Sequence, residues 1–396
     1  MIKPTLSNLT NRIDKLLRIV VIGLALGACT TPLKTPPPPP VMPPPVATQP
    51  FVVSTWAALP DWQTLDLVPT RLALLQSCRV LKTKPQWQDV CTRAEQLTDD
   101  NATLRAFYQE WFTPYQVLNP DGTEFGMITG YYEPLLKGSR VKTQRFRFPL
   151  YAVPDDLLTI DLATAYPQLK DMRLRGRVQG KRVIPYYNRA EIEALPSSLK
   201  GKELFWVENA VELFFLQIQG SGRIDLPDGT QARVGYAEQN GHPYVSIGKK
   251  LVEMGELKLE QASMQGIKEW AERTPEKLNA LLELNPSYVF FREMPDSPLG
   301  PLGALGVPLT DGYSMAIDAR AVPLGSPVFL ATTYPNDSAP LNRLMLAQDT
   351  GGAIKGAVRA DFFWGFGEAA GALAGRMKQQ GRLWVLFPKG AEPLQK

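Results

Sequence analysis

Three aspartates near the C-terminus are the residues best suited to acid or base chemistry. Asp318, Asp349 and Asp361 each end an apolar run, in the segments SMAID, LMLAQD and AVRAD. If the strands that these segments predict pair in one small barrel, the three carboxyl groups can converge at one end of it. Asp361 directly precedes Phe-Phe-Trp, and apolar surroundings raise the pKa of a carboxyl group, which suits an acid that stays protonated. The alternative is that each aspartate caps a turn, a common role for this residue.

Other catalytic chemistries find little support in the sequence. The chain has one histidine, His242, and contains no G-x-S-x-G or H-E-x-x-H motif. We interpret His242 as a turn residue that hydrogen-bonds locally. The segment DLPDG begins like a calcium loop, but the twelfth position counted from Asp225 is Tyr236 rather than glutamate. The segment GSGRID lacks the third glycine of a dinucleotide-binding turn. We therefore expect neither a metal nor a cofactor.

Composition and charge indicate a globular protein and do not predict a strongly charged binding partner. Of the 396 residues, 44% are hydrophobic and 21% are charged, which is typical of soluble proteins, and the length predicts two domains or one domain with an insertion. The net charge is +4, but residues 1–28 contain four basic residues and one acidic residue, which leaves +1 for the rest of the chain. A nearly neutral chain gives no reason to expect a nucleic acid partner.

The N-terminus has the features of a bacterial lipoprotein signal. A basic region that ends at Arg18 is followed by the apolar segment IVVIGLALGAC, which is too short to span a bilayer. The residues directly before Cys29 resemble a lipobox, in which the signal peptide (1–28) is removed and the cysteine is acylated, so that the chain is anchored by lipid. By the same resemblance, Thr30 favours the outer membrane, with the protein facing the periplasm. The alternative is an ordinary signal peptide with an incidental cysteine.

A proline-rich linker (29–50) follows the signal. Ten of the 21 residues in 30–50 are proline, and such segments form extended polyproline II that reaches about 65 Å. Beyond the linker, the patterns predict helices within 60–117 and 244–283, and strands from about residue 123 and again near the C-terminus. The segment AVELFFLQIQGSGRIDLPDG is predicted as a strand ending in a glycine-rich turn. In an oxidising compartment, Cys78 and Cys91 form either a disulfide between two helices or two buried free thiols.

Several long segments resemble the membrane-bound lytic murein transglycosylase A family. They are ITGYYEPLLKGSR, FFLQIQGSGRI, GYAEQNGHPYVSIGKKL, YSMAIDARAVPLGSPVFL and LAQDTGGAIKGAVRADFFWGFG, in the family's order and within residues 100–390. The resemblance implies a mainly β fold with added α-helices. A double-psi β-barrel domain would comprise 51–135 and 296–396, with a three-aspartate region at about 313–387. A second β-barrel domain would be inserted at 136–295, with a groove between the two.

The resemblance also implies an enzyme that cleaves the β-1,4 bond between N-acetylmuramic acid and N-acetylglucosamine in peptidoglycan and leaves a 1,6-anhydro-muramic acid end. The nucleophile is the C6 hydroxyl of the sugar itself, so one carboxyl group can act first as acid and then as base. The family's acid/base matches Asp361. Phe362, Phe363 and Trp364 are then candidates for an apolar wall around it. Asp349 and Asp318 would orient the site or stabilise positive charge on the sugar.

Substrate contacts are expected in the groove. They match two family motifs and comprise Thr129, Gly130, Tyr131, Tyr132 and Glu133 at the domain junction, and Gln217, Gln219, Gly220 and Ser221 on the inserted barrel. Amides and hydroxyls suit the polar groups of sugars, and tyrosine rings suit sugar faces. If Tyr131 and Tyr132 alternate along a strand, only one of them faces the groove.

Two other functions are compatible with the sequence. A muramidase would use the same fold with water as the nucleophile, and it would need a second base such as Asp349 or Glu133. A non-catalytic lipoprotein would tether the outer membrane to peptidoglycan. An intact Asp361 within its motif favours an enzyme over a tether. Enzymes of cell-wall synthesis or hydrolysis are candidate protein partners.

Overall fold

A computed structural model describes residues 50–169, 172, 174–194, 199–297, 299–335, 337–391 and 393. The predicted signal peptide, Cys29 and all of the linker except its last residue lie outside these ranges. Within the described ranges, no helix has both the length and the apolar character needed to cross a membrane.

The helices and strands are numbered in chain order. The helices are α1 (Thr70–Leu81), α2 (Gln88–Glu95), α3 (Asn101–Trp111), α4 (Arg189–Ala194), α5 (Ala210–Gln219), α6 (Ile247–Glu253), α7 (Met264–Arg273), α8 (Leu278–Glu283) and α9 (Gly367–Ala374). The strands are β1 (Phe51–Val53), β2 (Phe112–Val117), β3 (Gly126–Glu133), β4 (Leu135–Ser139), β5 (Phe148–Tyr151), β6 (Leu158–Thr159), β7 (Arg175–Gln179), β8 (Arg182–Pro185), β9 (Glu203–Val207), β10 (Ser221–Asp225), β11 (Gln231–Gln239), β12 (Val289–Met294), β13 (Ser314–Ile317), β14 (Pro327–Thr333), β15 (Pro340–Thr350), β16 (Ala360–Phe366) and β17 (Lys378–Pro388).

Six strands close into a barrel that is built from both ends of the chain. The strand order is β17-β14-β15-β13-β16-β3, and β3 pairs again with β17 to complete the ring. Two pairings are parallel, β13 with β15 and β16 with β3, as the expected double-psi barrel requires. Apolar side chains fill the interior: Ile128, Met315, Ile317, Val328, Leu330, Met345, Phe362 and Val385. The mainly β fold class with added helices is therefore confirmed.

Helices α1, α2 and α3 cover one side of this barrel, as their apolar spacing predicts. Helix α3 is capped by Asp100, which accepts a hydrogen bond from the Thr103 amide at 2.8 Å. Cys78 of α1 and Cys91 of α2 form a disulfide, so the structure contains the first of the two arrangements that the sequence left open.

A second six-stranded sheet has the order β12-β11-β10-β4-β9-β5. It curls so that its two edges meet in a bridge pair between Ala152 and Phe291. Its apolar face packs on α5, and the opposite side of α5 packs on α6, α7 and α8. Strands β6, β7 and β8 form a separate three-stranded sheet, which the sequence patterns did not predict, and α4 and α9 were also missed.

The prediction of one strand over 210–225 is wrong in its first half. Residues Ala210–Gln219 form helix α5, which Asn209 caps by accepting hydrogen bonds from the amides of Val211 and Glu212. Gly220 ends the helix in the left-handed region, with φ of 80°, and β10 follows. Because α5 is buried on two sides, it is apolar nearly all round, and its pattern is hard to distinguish from that of a buried strand.

Candidate active site

Two of the three aspartates lie in one row across the outside of the barrel. Asp349 of β15 and Asp361 of β16 both pair with Ala316 of β13, which lies between them, and Thr129 of β3 pairs with Asp361. The neighbouring residues Met315, Ile317 and others of these strands point into the barrel. Since adjacent strands are about 4.8 Å apart, the row places the two aspartates on one face with a small side chain between them.

Asp361 is held by a short chain of hydrogen bonds. The Thr129 hydroxyl donates to Oδ1 of Asp361 at 2.5 Å, and the Arg359 guanidinium donates to the Thr129 oxygen at 2.9 Å. Burial raises the pKa of Asp361 above its ordinary value, although the Thr129 hydrogen bond and the charge of Arg359 act in the opposite direction. The side chain is only partly exposed. It can therefore hold a proton more readily than a surface aspartate.

The aromatic residues after Asp361 divide between the two faces of β16. Phe362 is fully buried inside the barrel, and the Trp364 ring packs against it at 4.4 Å. Phe363 lies on the Asp361 side and contacts Tyr131 at 5.1 Å between ring centres. The expected apolar wall therefore reduces to Phe363, because residues next to each other in a strand face opposite ways.

Asp349 lies in the lining of the groove. Its Oδ1 accepts hydrogen bonds from the backbone amides of Ala304 and Thr350, both at 2.9 Å. Burial raises the pKa of Asp349 to about 6 despite these donors. Asp349 thus changes its charge close to neutral pH.

Asp318 differs from the other two aspartates. Both of its carboxylate oxygens bond to the Arg320 guanidinium, at 2.9 and 2.7 Å, and Oδ2 also accepts from the Gly356 amide at 3.0 Å. These bonds, led by Arg320, hold the pKa of Asp318 well below its usual range. Asp318 is buried, and neither Asp318 nor Asp361 is among the residues that line the groove. Its contacts attach the segment 351–359, which connects Asp349 to Asp361.

A groove of about 610 Å³ runs between the barrel and the second sheet. The sequence-predicted residues that line it are Tyr131, Glu133, Gln217, Gln219, Gly220, Ser221 and Asp349. Arg189, Arg292 and the segment 300–304 also line it, and the sequence analysis missed them. Arg189 opens the unpredicted helix α4, and no catalytic motif includes Arg292.

Tyr131 and Tyr132 face different cavities, as alternation along a strand requires. Tyr131 lines the groove, whereas Tyr132 and Gly130 line a second cavity of about 190 Å³. Gln219 touches both cavities, and its Oε1 accepts a hydrogen bond from the Tyr132 amide at 3.1 Å. Thr129 bonds to Asp361 instead of lining either cavity.

Glu133 joins the barrel to the second sheet. Its carboxylate pairs with Arg223 at 3.0 Å and with Arg233 at 3.8 Å, and Arg223 stacks over the Phe366 ring at 3.8 Å. Burial raises the pKa of Glu133 even though both arginines lower it. A carboxylate held between two guanidinium groups is a poor candidate for the second base of a muramidase, because its lone pairs are engaged.

Other polar groups of the groove are fixed by the fold. Gln217 accepts a hydrogen bond from the buried Arg189 guanidinium at 2.5 Å, which orients its amide group. His242 bonds through its ring Nε2 to the carbonyl oxygen of Tyr186 at 2.7 Å. The backbone amide of His242 also donates to Oδ1 of Asn240 at 3.3 Å, so the expected local bond is present beside the bond to Tyr186, which is 56 positions away.

Comparison with known proteins identifies the family. Residues 127–292 match the MltA specific insert domain, and residues 313–387 match the 3D domain. MltA from Neisseria gonorrhoeae is 41% identical, with coverage of 90% of this chain and 98% of that chain, and its crystal structure superposes with a TM-score of 0.78. The chain belongs to the MltA family.

Two other solved structures are also similar to this chain. The lytic transglycosylase LtgG of Burkholderia pseudomallei is 47% identical over 87% of this chain and 97% of that chain, with a TM-score of 0.60. The structure of E. coli MltA with bound chitohexaose is 28% identical over 86% of this chain and 94% of that chain, with a TM-score of 0.65.

Sequence comparison alone aligns a shorter region. The membrane-bound lytic murein transglycosylase A of Escherichia coli K12 is 36% identical over 267 residues, which span 65% of this chain and 65% of that protein.

Proposed function

We propose that this protein is a lytic transglycosylase that cleaves the β-1,4 bond between N-acetylmuramic acid and N-acetylglucosamine in peptidoglycan and forms 1,6-anhydro-muramic acid ends. The observation that carries the proposal is the position of Asp361, a partly exposed carboxyl group that Thr129 and, through it, Arg359 hold in the row next to Ala316. Membership of the MltA family and the chitohexaose complex of E. coli MltA support a glycan substrate.

The mechanism needs one carboxyl group that cycles a proton. Protonated Asp361 would donate its proton to the glycosidic oxygen while the bond from that oxygen to the anomeric carbon breaks. The Asp361 carboxylate would then take the proton of the C6 hydroxyl, whose oxygen bonds to the anomeric carbon and closes the 1,6-anhydro ring. Asp361 ends each turnover protonated, and no water is consumed. The negative charge of Asp349 would stabilise the positive charge that develops on the sugar.

A hydrolytic muramidase is the second candidate, and one observation favours it. Asp349 lies across Ala316 from Asp361 and has a pKa of about 6, so it could activate a water molecule as a base. Mass spectrometry of peptidoglycan digested with the protein distinguishes the candidates. A transglycosylase releases muropeptides that are lighter by one water than muramidase products, and finding only reducing muramic acid ends would assign the protein to the hydrolases. A pure tether would release neither.

We further propose that the mature protein begins at a lipidated Cys29 and is anchored in the outer membrane facing the periplasm. The lipobox and the linker support this anchoring, and E. coli relatives are described as membrane-bound. Cys29→Ala should release the protein from the membrane fraction. Retention in that fraction with an unchanged N-terminal mass would contradict lipidation.

The domain division of the sequence analysis remains part of the proposal. The barrel domain would comprise 51–135 and 296–396, and the insertion would comprise 136–295. The pairing of β3 with β16 and β17 supports a barrel that uses both ends of the chain. Enzymes that synthesise or hydrolyse the cell wall are proposed as partners on the basis of the shared substrate alone.

A further inference from the structure

Tyr131 carries a buried hydroxyl group without a hydrogen bond. The residue is 8% exposed, lines the groove together with Asp349, and its hydroxyl has no hydrogen-bond partner among the described residues. Buried hydroxyl groups in native proteins are nearly always paired. The Tyr131 hydroxyl can therefore donate a hydrogen bond to a group in the groove.

The fold fixes Tyr131 on the side of β3 that carries the site. Tyr131 lies two residues beyond Thr129, so both side chains project from the same face of the strand. Its ring packs in a small apolar cluster with Ala316 and Phe363. Ala316 is the residue that separates Asp349 from Asp361 in the row. The hydroxyl is thus held near both carboxyl groups by a rigid sheet.

The charges around the hydroxyl identify Asp349 as its closest partner. Burial raises the pKa of Tyr131 well above its ordinary value, and the charges of Asp349 and then Asp361, together with the proximity of the Asp349 carboxyl group to the hydroxyl, raise it further. In return, the Tyr131 hydroxyl lowers the pKa of Asp349, although burial dominates there. The hydroxyl therefore lies close to Asp349 but outside hydrogen-bond geometry. Both backbone donors bond to Oδ1 of Asp349, so Oδ2 is available.

Four other charged residues line the groove with Tyr131 and Asp349: Glu133, Arg189, Arg233 and Arg292. Arg359 is the cation that acts on Asp361. Glu133, on the same strand as Tyr131, is neutralised by Arg223 and Arg233. The segment 301–309, most of which also lines the groove, has no charged residue.

We propose that Tyr131 is a positioning residue that donates a hydrogen bond to Oδ2 of Asp349 while a glycan fills the groove, and so keeps Asp349 as the anion that faces the reacting sugar. This inference rests on the proposed lytic transglycosylase function. It gives the two carboxyl groups different tasks, because Asp361 moves the proton and Asp349 carries the negative charge. A phenol beside two carboxylates stays protonated, so it can only act as a donor toward them.

The test is the pH dependence of 1,6-anhydro product formation by the full chain with Tyr131→Phe. A donor lowers the pKa of a carboxyl group, so removing it raises that pKa. If Asp349 must be ionised for the reaction, activity increases as the pH rises through the pKa of Asp349. In Tyr131→Phe, this increase should occur at a pH that is higher by about one unit. Tyr132→Phe is the matched control, because the Tyr132 hydroxyl contacts Met264. The pH midpoint of its activity should equal that of the wild type, even if its rate of product formation differs.

Two further measurements keep the inference separable from the proposed function. In an Asp349→Asn background, Tyr131→Phe should produce no shift, because the carboxyl group on which it acts is absent. Carboxyl titration of Asp349 by NMR, assigned by its loss in Asp349→Asn, should show the same upward shift in the Tyr131→Phe protein with chitohexaose in the groove, and a smaller shift in the free variant. An unshifted midpoint in both measurements would overturn the inference while anhydro products are still formed. Absence of anhydro products from the wild type would instead reject the proposed function.

Discussion

Thr129 donates its hydroxyl hydrogen bond to Asp361 across two parallel strands that are 232 positions apart in the chain. The Thr129 oxygen also accepts from Arg359, so its own proton is directed at the carboxylate. The environment of the candidate acid is therefore complete only when β3 and β16 pair. Arg359 acts on Asp361 both by its charge and through Thr129.

The first prediction concerns this hydrogen bond. Thr129→Val removes the donor at nearly constant shape, and the pKa of Asp361 should rise because the anion loses a partner. Activity that requires protonated Asp361 falls as pH rises through this pKa, so the fall should occur at higher pH in the variant, by roughly one unit. Thr129→Ser keeps the donor and should restore the wild-type profile. A pH profile of Thr129→Val that coincides with the wild type would contradict this role.

The second prediction concerns Asp361 itself. Asp361→Asn keeps the shape but cannot cycle a proton, so it should lose turnover by about 10⁴-fold or more, since general acid–base catalysis contributes roughly 10²–10⁴-fold and both steps are affected. Binding of glycan strands should be kept or improved. Product formation and glycan binding should be measured on the same preparation, with circular dichroism to check folding. Near-normal activity of a folded variant would transfer the assignment to Asp349.

Much of the site could be predicted from the sequence because its carboxyl groups end short apolar strands. The position of Asp349 and Asp361 on one face follows from the alternation of β15 and β16. Arg320, the main partner of Asp318, is only two positions away, but the attachment of the segment 351–359 could not be predicted, because it depends on Gly356, 38 positions away. The pattern did not indicate that Phe362 lies inside the barrel, since the wall was inferred from neighbours in sequence and ignored the alternation of strand faces.

The inserted region was predicted less well for a physical reason. Helix α5 is apolar on two sides because it packs between the second sheet and three helices, so its periodicity resembles that of a buried strand. The short strands β6, β7 and β8 pair only with each other. They expose apolar residues such as Val178 and Val183, and an exposed strand does not produce the alternation on which the prediction depends.

The third prediction concerns the free energy of unfolding. The pKa of Asp349 is raised from 3.8 to about 6 in the folded protein, so the carboxyl group favours folding fully below pH ~4 and this contribution is lost as pH rises through 6. Asp349→Asn does not titrate and should stabilise the protein at pH 7 by up to about 3 kcal/mol. Thermal melts of the variant and the wild type should show a higher melting temperature for the variant at pH 7 and no difference at pH 4. An equal change at both values would mean that ionisation of Asp349 costs no stability.

The last prediction gives Asp318 the opposite pH dependence. Its folded pKa is lowered by Arg320 and by the Gly356 amide, so the carboxylate stabilises the protein above the unfolded pKa of about 3.9, and this stability is lost as pH falls through the folded value. Asp318→Asn should therefore destabilise the protein at pH 7 by roughly 1–3 kcal/mol, since Arg320 is partly exposed and solvent weakens the pair. The difference in stability between Asp318→Asn and the wild type should become smaller below pH 4.

Activity should fall together with this stability, because the segment 351–359 that Asp318 attaches at Gly356 connects Asp349 to Asp361. The expected loss of turnover is smaller than that of Asp361→Asn, since the Asp318 carboxylate is paired with Arg320 and lies outside the row that contains Asp361. Asp296→Asn removes an exposed carboxylate and serves as the control for the change in net charge. If Asp318→Asn leaves the melting temperature at pH 7 unchanged but abolishes turnover, Asp318 acts on the reaction directly and its structural role is wrong.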